Sequence, residues 1–276
     1  SHAAVARAIG ISRQRVSKVM KELNTEKVKK KRPRIDEEGD RELLVTIKEI
    51  LKECPAYGLR KVVAIMKNRY QIPVGKTRIE RIMKENGLML PPTRSMKKMF
   101  RGIPIKLKVE ADRSNALWGI DMTWMWCGED GWGYFHGVID HHDKELLGYT
   151  FSRSCKAIGG VLALAEAAGK RPVESLELRS DNGCHYGARI FQDEIRRLGI
   201  NHTRTMVNTP KGNAVIERFF KSLKSECVWL HRFKNFEEAK REVDQWVTHY
   251  NNRRPHQSLG YKTPVEYYED IVQNVA

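Results

Sequence analysis

The sequence predicts a mixed α/β domain over residues 115–276, preceded by small all-α helix-turn-helix units. Before residue 91 apolar residues recur at helical spacing, and after residue 114 strand-like apolar stretches begin. The positive charge divides at the same point. Residues 1–114 hold 29 Lys and Arg against 13 Asp and Glu, whereas the remaining 162 residues hold 21 of each. A joint change of periodicity and charge indicates a domain boundary there.

The first predicted helix-turn-helix lies within residues 1–26, in the stretch AAVARAIGISRQRVSKVMKE. Ala6 is small where two helices would meet, Gly10 permits a tight turn, and Ser12 can cap the second helix. The outer face of that helix carries residue types that reach base edges or phosphates, and we predict DNA contacts from Arg13, Gln14, Ser17 and Lys18. A short helical hairpin without DNA contacts is the alternative. The chain opens inside this unit, which we expect to be truncated at its N-terminus.

Residues 27–37 form a predicted basic linker, in which KVKKKRPR has six basic residues in eight. A second helix-turn-helix domain is predicted over residues 38–91, from helical periodicity in the segments before and after the turn Pro55–Gly58. Near the start of its last helix we expect DNA contacts from Lys76, Arg78 and Arg81. Residues 92–114 lack a period and form a predicted basic connector.

The formal net charge of the chain is +16, all of it contributed by residues 1–114. A local surplus of Lys and Arg binds a polyanion by neutralising phosphates and releasing counterions, so we expect double-stranded DNA as a partner. The five cysteines are odd in number, scattered and without C-x-x-C spacing, so neither a cysteine zinc site nor a disulfide framework is indicated, and a reducing, cytoplasmic setting is favoured. No apolar run is long enough to span a membrane.

The α/β domain has a predicted order of elements. Three strand-like stretches, LWGIDMTWMW, WGYFHGVIDHH and LLGYTFSR, precede a small-residue helix near residues 157–168. A strand, a helix, a strand and two helices near residues 213–230 and 236–250 follow. Periodicity alone supports a mixed α/β domain, and the order itself is that of ribonuclease H-like folds. We expect Trp124, Trp126 and Trp132 in the core, with stacking on splayed bases as the alternative.

Three carboxylates in this domain differ from ordinary surface acids by their placement. Asp121 lies inside an apolar strand, Asp181 follows a strand and opens a turn, and Glu217 lies on a predicted helix, with 35 residues between it and Asp181. Oxygen ligands of this kind suit Mg²⁺, and two such ions can activate an attacking hydroxyl and stabilise a leaving oxygen. Each carboxylate alone also has a structural interpretation, as a buried strand acid, a turn acid or half of a surface ion pair.

Three segments around these carboxylates resemble the IS-three family of bacterial insertion-sequence transposases: residues 180–200, 208–226 and 250–267. Residues PAYGLRKVVAIMKNRY and KTRIERIMKENGL resemble the second helix-turn-helix of that family. The resemblance implies a ribonuclease H-like (integrase) catalytic domain whose catalytic and metal ligands are Asp121, Asp181 and Glu217. It also implies dependence on Mg²⁺, with Mn²⁺ as a substitute and two ions bound, DNA with terminal inverted repeats as the substrate, and a homodimer or higher oligomer on DNA.

Two positions depart from the family pattern, because the family often has Asp at Gly212 and Ser at Cys184. Lys221 and Lys224, on the helix of Glu217, are further predicted DNA contacts. So are Arg253 and Arg254, in a segment that resembles the family's terminal motif, with contact to a neighbouring subunit as the alternative. Lys221 and Lys224 continue the helical stripe of Glu217, beside an apolar stripe of Ile216, Phe220, Leu223 and Cys227. His185 and Asp140 are possible ligands of a phosphate or cation, with structural roles as the alternative.

The sequence therefore predicts a DNA transposase that binds element ends and carries out metal-dependent strand cleavage and strand transfer. One alternative is a DNA-binding regulator with a non-catalytic ribonuclease H-like scaffold. Another is a structure-specific nuclease.

Overall fold

The computed structural model describes residues 12, 14, 15, 36–90, 111–205 and 213–275. The predicted DNA contacts Arg13, Ser17 and Lys18 lie outside the described residues, as do nearly all of the basic linker and connector. Gln14 is exposed and has helical backbone geometry. The chain divides into two compact units, Ser1–Val45 and Thr46–Ala276.

Three helices precede the sheet: α1 (Glu37–Glu53), α2 (Leu59–Asn68) and α3 (Lys76–Glu85). The acidic first turn of α1 is favourable at a helix N-terminus, where backbone N–H groups are unpaired. Helices α2 and α3 bury apolar side chains at helical spacing, among them Val62, Met66, Ile79 and Met83. These helices confirm the helical periodicity predicted for this region.

The sheet has five strands: β1 (Leu117–Trp126), β2 (Trp132–Asp140), β3 (Leu146–Ser152), β4 (Glu177–Ser180) and β5 (Asn201–Arg204). Their order is β3-β2-β1-β4-β5. The β1–β2 and β2–β3 pairs are antiparallel, whereas β4 runs parallel to β1 and β5 parallel to β4. The remaining helices are α4 (Ala157–Lys170), α5 (Cys184–Gly187), α6 (Arg189–Leu198), α7 (Ala214–Glu226), α8 (Phe236–Asn252) and α9 (Pro264–Val275). This confirms the predicted mixed α/β fold class.

Two apolar clusters cover the sheet with helices. One joins Met125 and Phe135 of the sheet to Phe219 of α7 and Trp246 of α8. The other joins Trp118 of β1 to helices α4 and α6. Successive residues of a strand point to opposite faces, so β1 contributes Trp118 and Ile120 to one cluster and Met125 to the other. The predicted apolar stripe of α7 is confirmed, since Ile216, Phe220, Leu223 and Cys227 are all buried.

Residues 46–90 belong to the same compact unit as the sheet, which domain prediction from the sequence did not anticipate. The buried Tyr57 hydroxyl is 2.8 Å from His249 Nε2 of α8. Lys61 of α2 pairs with Glu226 of α7 at 2.7 Å, and Glu226 also binds Arg254 at 2.7 and 2.8 Å. These contacts of high sequence separation have no local signature, so periodicity could not reveal them.

The prediction that Trp124, Trp126 and Trp132 lie in the core is wrong. Their exposed fractions are 53%, 56% and 49%. Their side chains are apolar enough for a core, but they lie near the turn between β1 and β2, where none of the three joins either apolar cluster. The five cysteines are free, as the sequence predicted. In the described part of the chain, no helix is both long and apolar enough to cross a bilayer.

Candidate active site

The parallel pairing of β1 with β4 aligns two of the predicted carboxylates. Leu117 lies opposite Glu177 and Gly119 opposite Arg179, a constant offset of 60 residues. Asp121 lies two residues beyond Gly119, the last residue of β1 that pairs with β4, and Asp181 directly follows Ser180, the last residue of β4. Neighbouring strands are separated by about 4.8 Å, so strand pairing itself brings these two carboxylates close together.

A buried side chain ties the start of α7 to β1. Asn213 precedes α7 and is 5% exposed. Its Nδ2 donates to the carbonyl of Ile120, the residue immediately before Asp121, at 3.1 Å. The backbone carbonyl of Asn213 accepts a hydrogen bond from the backbone N–H of Glu217 at 3.2 Å. The side chain of Asn213 therefore contacts the strand that carries Asp121, while its backbone bonds to Glu217 in the first turn of α7.

The electrostatics of Asp121 show that the three carboxylates share one region. The pKa of Asp121 is raised to about 7, mainly by burial and in addition by the negative charges of Asp181 and Glu217, against a lowering by the backbone N–H of Met122. That N–H donates to Asp121 at 2.7 Å, and the N–H of Gly183 donates to Asp181 at 2.8 Å. When no cation lies nearby, a neighbouring negative charge destabilises the ionised form of a carboxylate and so raises its pKa.

The donor set of this region suits a hard divalent cation. It consists of carboxylate oxygens, the ligands that Mg²⁺ prefers. The hydroxyl of Tyr186 is buried without a hydrogen-bond partner among the described residues. Burial raises the pKa of Tyr186, and the charges of Asp121 and Asp181 add to that increase. A buried hydroxyl without a partner is suited to bind a water molecule or a ligand that lies beside these carboxylates. Among the described residues, which include the three predicted carboxylates, no group of three or more Asp, Glu, His and Cys side chains is arranged to hold a metal ion.

The lysines of the predicted stripe lie on the same helix as Glu217. Lys221 is exposed. Lys224 is half-buried, and its Nζ is 5.8 Å from the centre of the Trp124 ring. Both ammonium groups are therefore available to an anion that approaches α7.

The other predicted site residues take different positions. His185 lies with its Nε2 3.6 Å from Cys155 Sγ and its ring 5.9 Å from that of His136. The buried carboxylate of Asp140 accepts from the backbone N–H groups of Asn115, His142 and Asp143 and from the indole N–H of Trp118. These bonds give Asp140 a role in the turn after β2.

The structure does not support the predicted DNA contact of Arg254. The expected DNA contact is 8% exposed, and its guanidinium donates to both carboxylate oxygens of Glu226 and to Ser222. Because its donors face buried acceptors, it stabilises the packing of α7 instead of facing DNA. The neighbouring Arg253 is exposed.

Among the predicted contacts of the second helical region, Lys76 is the first residue of α3 and is exposed. Arg78 is half-buried in the first turn. Arg81 pairs with Glu85 at 3.2 Å one turn later.

Comparison with known proteins gives matches along most of the chain. Two family models, both described as an integrase core domain, match residues 111–210 and 198–264. A model described as an HTH-like domain matches residues 38–95. The chain is 26% identical over 241 residues to the transposase InsD for insertion element IS2A/D/F/H/I/K of Escherichia coli, which covers 83% of this chain and 78% of the relative. The transposase InsD for insertion element IS2D of Escherichia coli strain K12 gives the same values.

Among solved structures, a chain of the simian T-cell lymphotropic virus intasome, in complex with PP2A regulatory subunit B56 gamma, has a similar fold. The TM-score is 0.52 with 15% sequence identity, and the match covers 74% of this chain and 73% of the other. At that identity the similarity concerns the fold alone. It agrees with the integrase core that the family models match.

Proposed function

This chain belongs to the transposase and integrase catalytic-core family, and on that basis we propose that it cuts and joins DNA at Asp121, Asp181 and Glu217. In this proposal the chain binds the terminal inverted repeats of an insertion sequence. It then frees a 3′-hydroxyl by hydrolysis and directs that hydroxyl to a second phosphodiester. The observation that supports it most is that the negative charges of Asp181 and Glu217 contribute to the raised pKa of Asp121. The β1–β4 pairing and the hydrogen bond of Asn213 to Ile120 agree with it.

The reaction in each step is an exchange of one oxygen–phosphorus bond for another. In the first step water attacks the scissile phosphate and a 3′-oxygen leaves. In the second step that 3′-oxygen attacks another phosphate and displaces its bridging oxygen. The three carboxylates would hold Mg²⁺ or Mn²⁺, which as a pair supplies hydroxyl activation and charge neutralisation at phosphate. Lys224 would hold the phosphate beside the scissile one as a point charge.

Affinity and assembly belong to other parts of the chain in this proposal. The HTH-like region and the positive charge of residues 1–114 would bind duplex DNA. A dimer or higher oligomer on DNA would bring two element ends together. The bacterial relatives support bacterial DNA, in the cytoplasm, as the substrate.

The test is a cleavage and joining assay with a labelled duplex that carries the inverted repeat flanking the gene, in the presence of Mg²⁺. The wild type should give a nick and a joined product. Asp121→Ala, Asp181→Ala and Glu217→Ala should each lose at least 100-fold in cleavage rate, roughly the loss on removing one group that stabilises transition-state charge. All three should retain affinity for the duplex.

Asp193→Ala is the matched control, because Asp193 is an exposed carboxylate on α6 outside the site. It should cleave like the wild type. Near-normal cleavage by any triad variant would remove that residue from the triad. Binding without cleavage by the wild type would favour a regulator, and cleavage without joining would favour a nuclease.

A further inference from the structure

Four of the six tryptophans of this chain line one groove beside the turn between β1 and β2. The groove has a volume of about 670 Å³. Its indole rings belong to Trp124, Trp126, Trp132 and Trp229. Trp126 and Trp132 are direct partners across the β1–β2 ladder, and their rings meet edge to face with centres 5.3 Å apart.

These rings are unusually exposed for their size. Trp229 is 68% exposed, and the other three are about half exposed. Trp124 and Trp126 continue the strand face that buries Trp118 and Ile120 further back along β1. A contiguous group of exposed aromatic rings marks an interaction surface, because leaving such area in water is unfavourable.

The charge of the groove selects the kind of ligand. The lining residues include the cations Lys224 and Arg232 and no carboxylate. The Lys224 ammonium lies 5.8 Å from the centre of the Trp124 ring, so cation and ring face the same space. A ligand that offers flat apolar faces along an anionic backbone matches both features, and unpaired DNA bases have that chemistry.

The position of the groove relates it to the candidate active site. Lys224 follows Glu217 by seven residues on α7, which is roughly 10 Å along the helix axis. That distance equals about three base steps of one DNA strand. We propose that the groove stacks unpaired bases of the DNA strand within about three nucleotides of the phosphate that reacts at the triad. The groove then holds a locally melted end open; this rests on the proposed function.

Tryptophan fluorescence of the full chain, without added metal, tests the proposal directly. The two tryptophans outside the groove, Trp118 and Trp246, are 0% and 8% exposed, so external quenching reports mainly on the groove. A single-stranded oligothymidylate of about 12 nucleotides, within the usual site sizes, should quench the fluorescence more than a duplex of equal length. Equal quenching by the two probes would overturn the proposal, because basic segments alone bind both.

Substitutions locate the effect. The double variant Trp126→Ala/Trp132→Ala should bind the oligothymidylate roughly 10-fold more weakly for each stacked base lost, and the corresponding double Phe variant should recover most of the affinity. Leu162→Ala is the matched control, since Leu162 is an apolar side chain 53% exposed on α4 and outside the groove. It should bind like the wild type. Unchanged affinity of the double Ala variant would overturn the proposal.

A second copy of the chain is the competing occupant. If it covered the groove, the wild type would dimerise in sedimentation experiments, the double Ala variant would be monomeric, and both would bind oligothymidylate equally. That result would also overturn the proposal. Failure of the proposed function is separate, because it appears as absent cleavage with Mg²⁺, whereas quenching is measured without metal.

Discussion

The surroundings of Asp121 destabilise the ionised form of its side chain. Burial and two neighbouring carboxylates raise its pKa to about 7 from an ordinary value near 4. A residue that served only to stabilise the strand would avoid this cost, since an apolar or amide side chain of similar size fits the same place. Perturbed carboxylates of this kind concentrate at functional sites.

Asp121→Asn should therefore stabilise the metal-free protein. The Asp121 carboxyl group loses its proton near pH 4 in the unfolded chain and near pH 7 in the folded chain. Between these pH values the native state binds more protons than the unfolded state. The wild type therefore loses stability as the pH rises. In chelator, urea unfolding should show a more stable variant at pH 8, by on the order of 1–4 kcal/mol, and a smaller difference near pH 4.5.

Asp193→Asn is the control for this experiment, because that carboxylate is exposed. Its stability should follow the wild type at both pH values. Added Mg²⁺ should narrow the difference between wild type and Asp121→Asn, because a bound cation favours the ionised carboxylate. Equal stability of the two proteins at pH 8 in chelator would contradict the assigned pKa.

Lys224 differs from Lys221 in its surroundings, and their variants should differ as well. Lys224→Ala should lower cleavage and joining by roughly 10-fold, the loss of about 1.4 kcal/mol of a charge-assisted phosphate contact. Lys224→Arg should recover part of the rate because charge is kept, and Lys221→Ala should lose less. Rates from single-turnover assays with labelled DNA decide this. Wild-type joining by Lys224→Ala would make this stripe an ordinary solvated helix face.

Individual roles were unevenly predictable from the sequence. Asp121 stands out because a charge inside an apolar strand is rare, and the segments around Asp181 and Glu217 resemble family motifs. The roles of Arg254 and Asn213, in contrast, depend on partners far along the chain. Arg254 binds Glu226, 28 residues away, and Asn213 binds the backbone of Ile120, 93 residues away. No spacing rule connects such pairs, so the sequence predicts a DNA contact for Arg254 and does not predict the bond of Asn213 to β1.

The secondary elements follow the sequence closely. Strand β1 has the predicted bounds, Leu117–Trp126, and α7 lies within the predicted helix. Local periodicity sets these elements because alternation and 3.6-residue spacing are properties of neighbouring residues. The helices α5 and α9 were missed. The four-residue α5 is too short to show a period, and α9 begins at Pro264, at the end of a segment whose sequence resembles a family motif.

Substitutions at two glycines distinguish the effect of close packing between β3 and α4 from the effect of helix propensity. A Cβ on Gly148 of β3 would come within 2.2 Å of the Ala163 carbonyl oxygen of α4, which is backbone and cannot move aside. Gly148→Ala should therefore destabilise the protein by at least about 1–3 kcal/mol in urea unfolding. On α4 itself, nothing lies within 4 Å of a Cβ on Gly169.

Gly169→Ala should accordingly raise the stability, by up to about 1 kcal/mol, because alanine loses less backbone entropy in a helix. The two variants add the same methyl group, so opposite signs isolate the contact between β3 and α4. A stable Gly148→Ala protein would mean that α4 packs less closely on the sheet than described.

On the scale of the whole molecule, the net positive charge lies in residues 1–114, whereas the candidate triad lies in residues 115–276. Residues 1–35 hold 11 Lys and Arg against 2 Asp and Glu, so their removal lowers the net charge from +16 to +7. The slope of log K against log salt is about −0.9 per phosphate neutralised. We expect a chain of residues 36–276 to give a shallower slope than the full chain in duplex binding by fluorescence anisotropy.

When the salt is raised from about 50 to 200 mM, the affinity of the full chain for duplex DNA should therefore fall several-fold to many-fold more than the affinity of residues 36–276. A chain with the six basic residues of KVKKKRPR changed to Ser is the control, since it keeps the length and removes charge alone. Equal slopes for all three chains would show that phosphate contacts lie elsewhere, in the sheet domain or in residues 36–114.

The sequence by itself determined the element types, the division of charge, the candidate triad and the DNA-directed function. These depend on local spacing, on composition, or on motifs that a family shares, all of which are legible along one chain. Only the tertiary structure decided which residues meet. It aligned Asp181 with Asp121 through strand register, joined residues 46–90 to the sheet domain, buried Arg254, and left three tryptophans exposed at the β1–β2 turn. The physical reason is that burial and pairing between distant segments are set by packing in three dimensions, which a one-dimensional pattern does not specify.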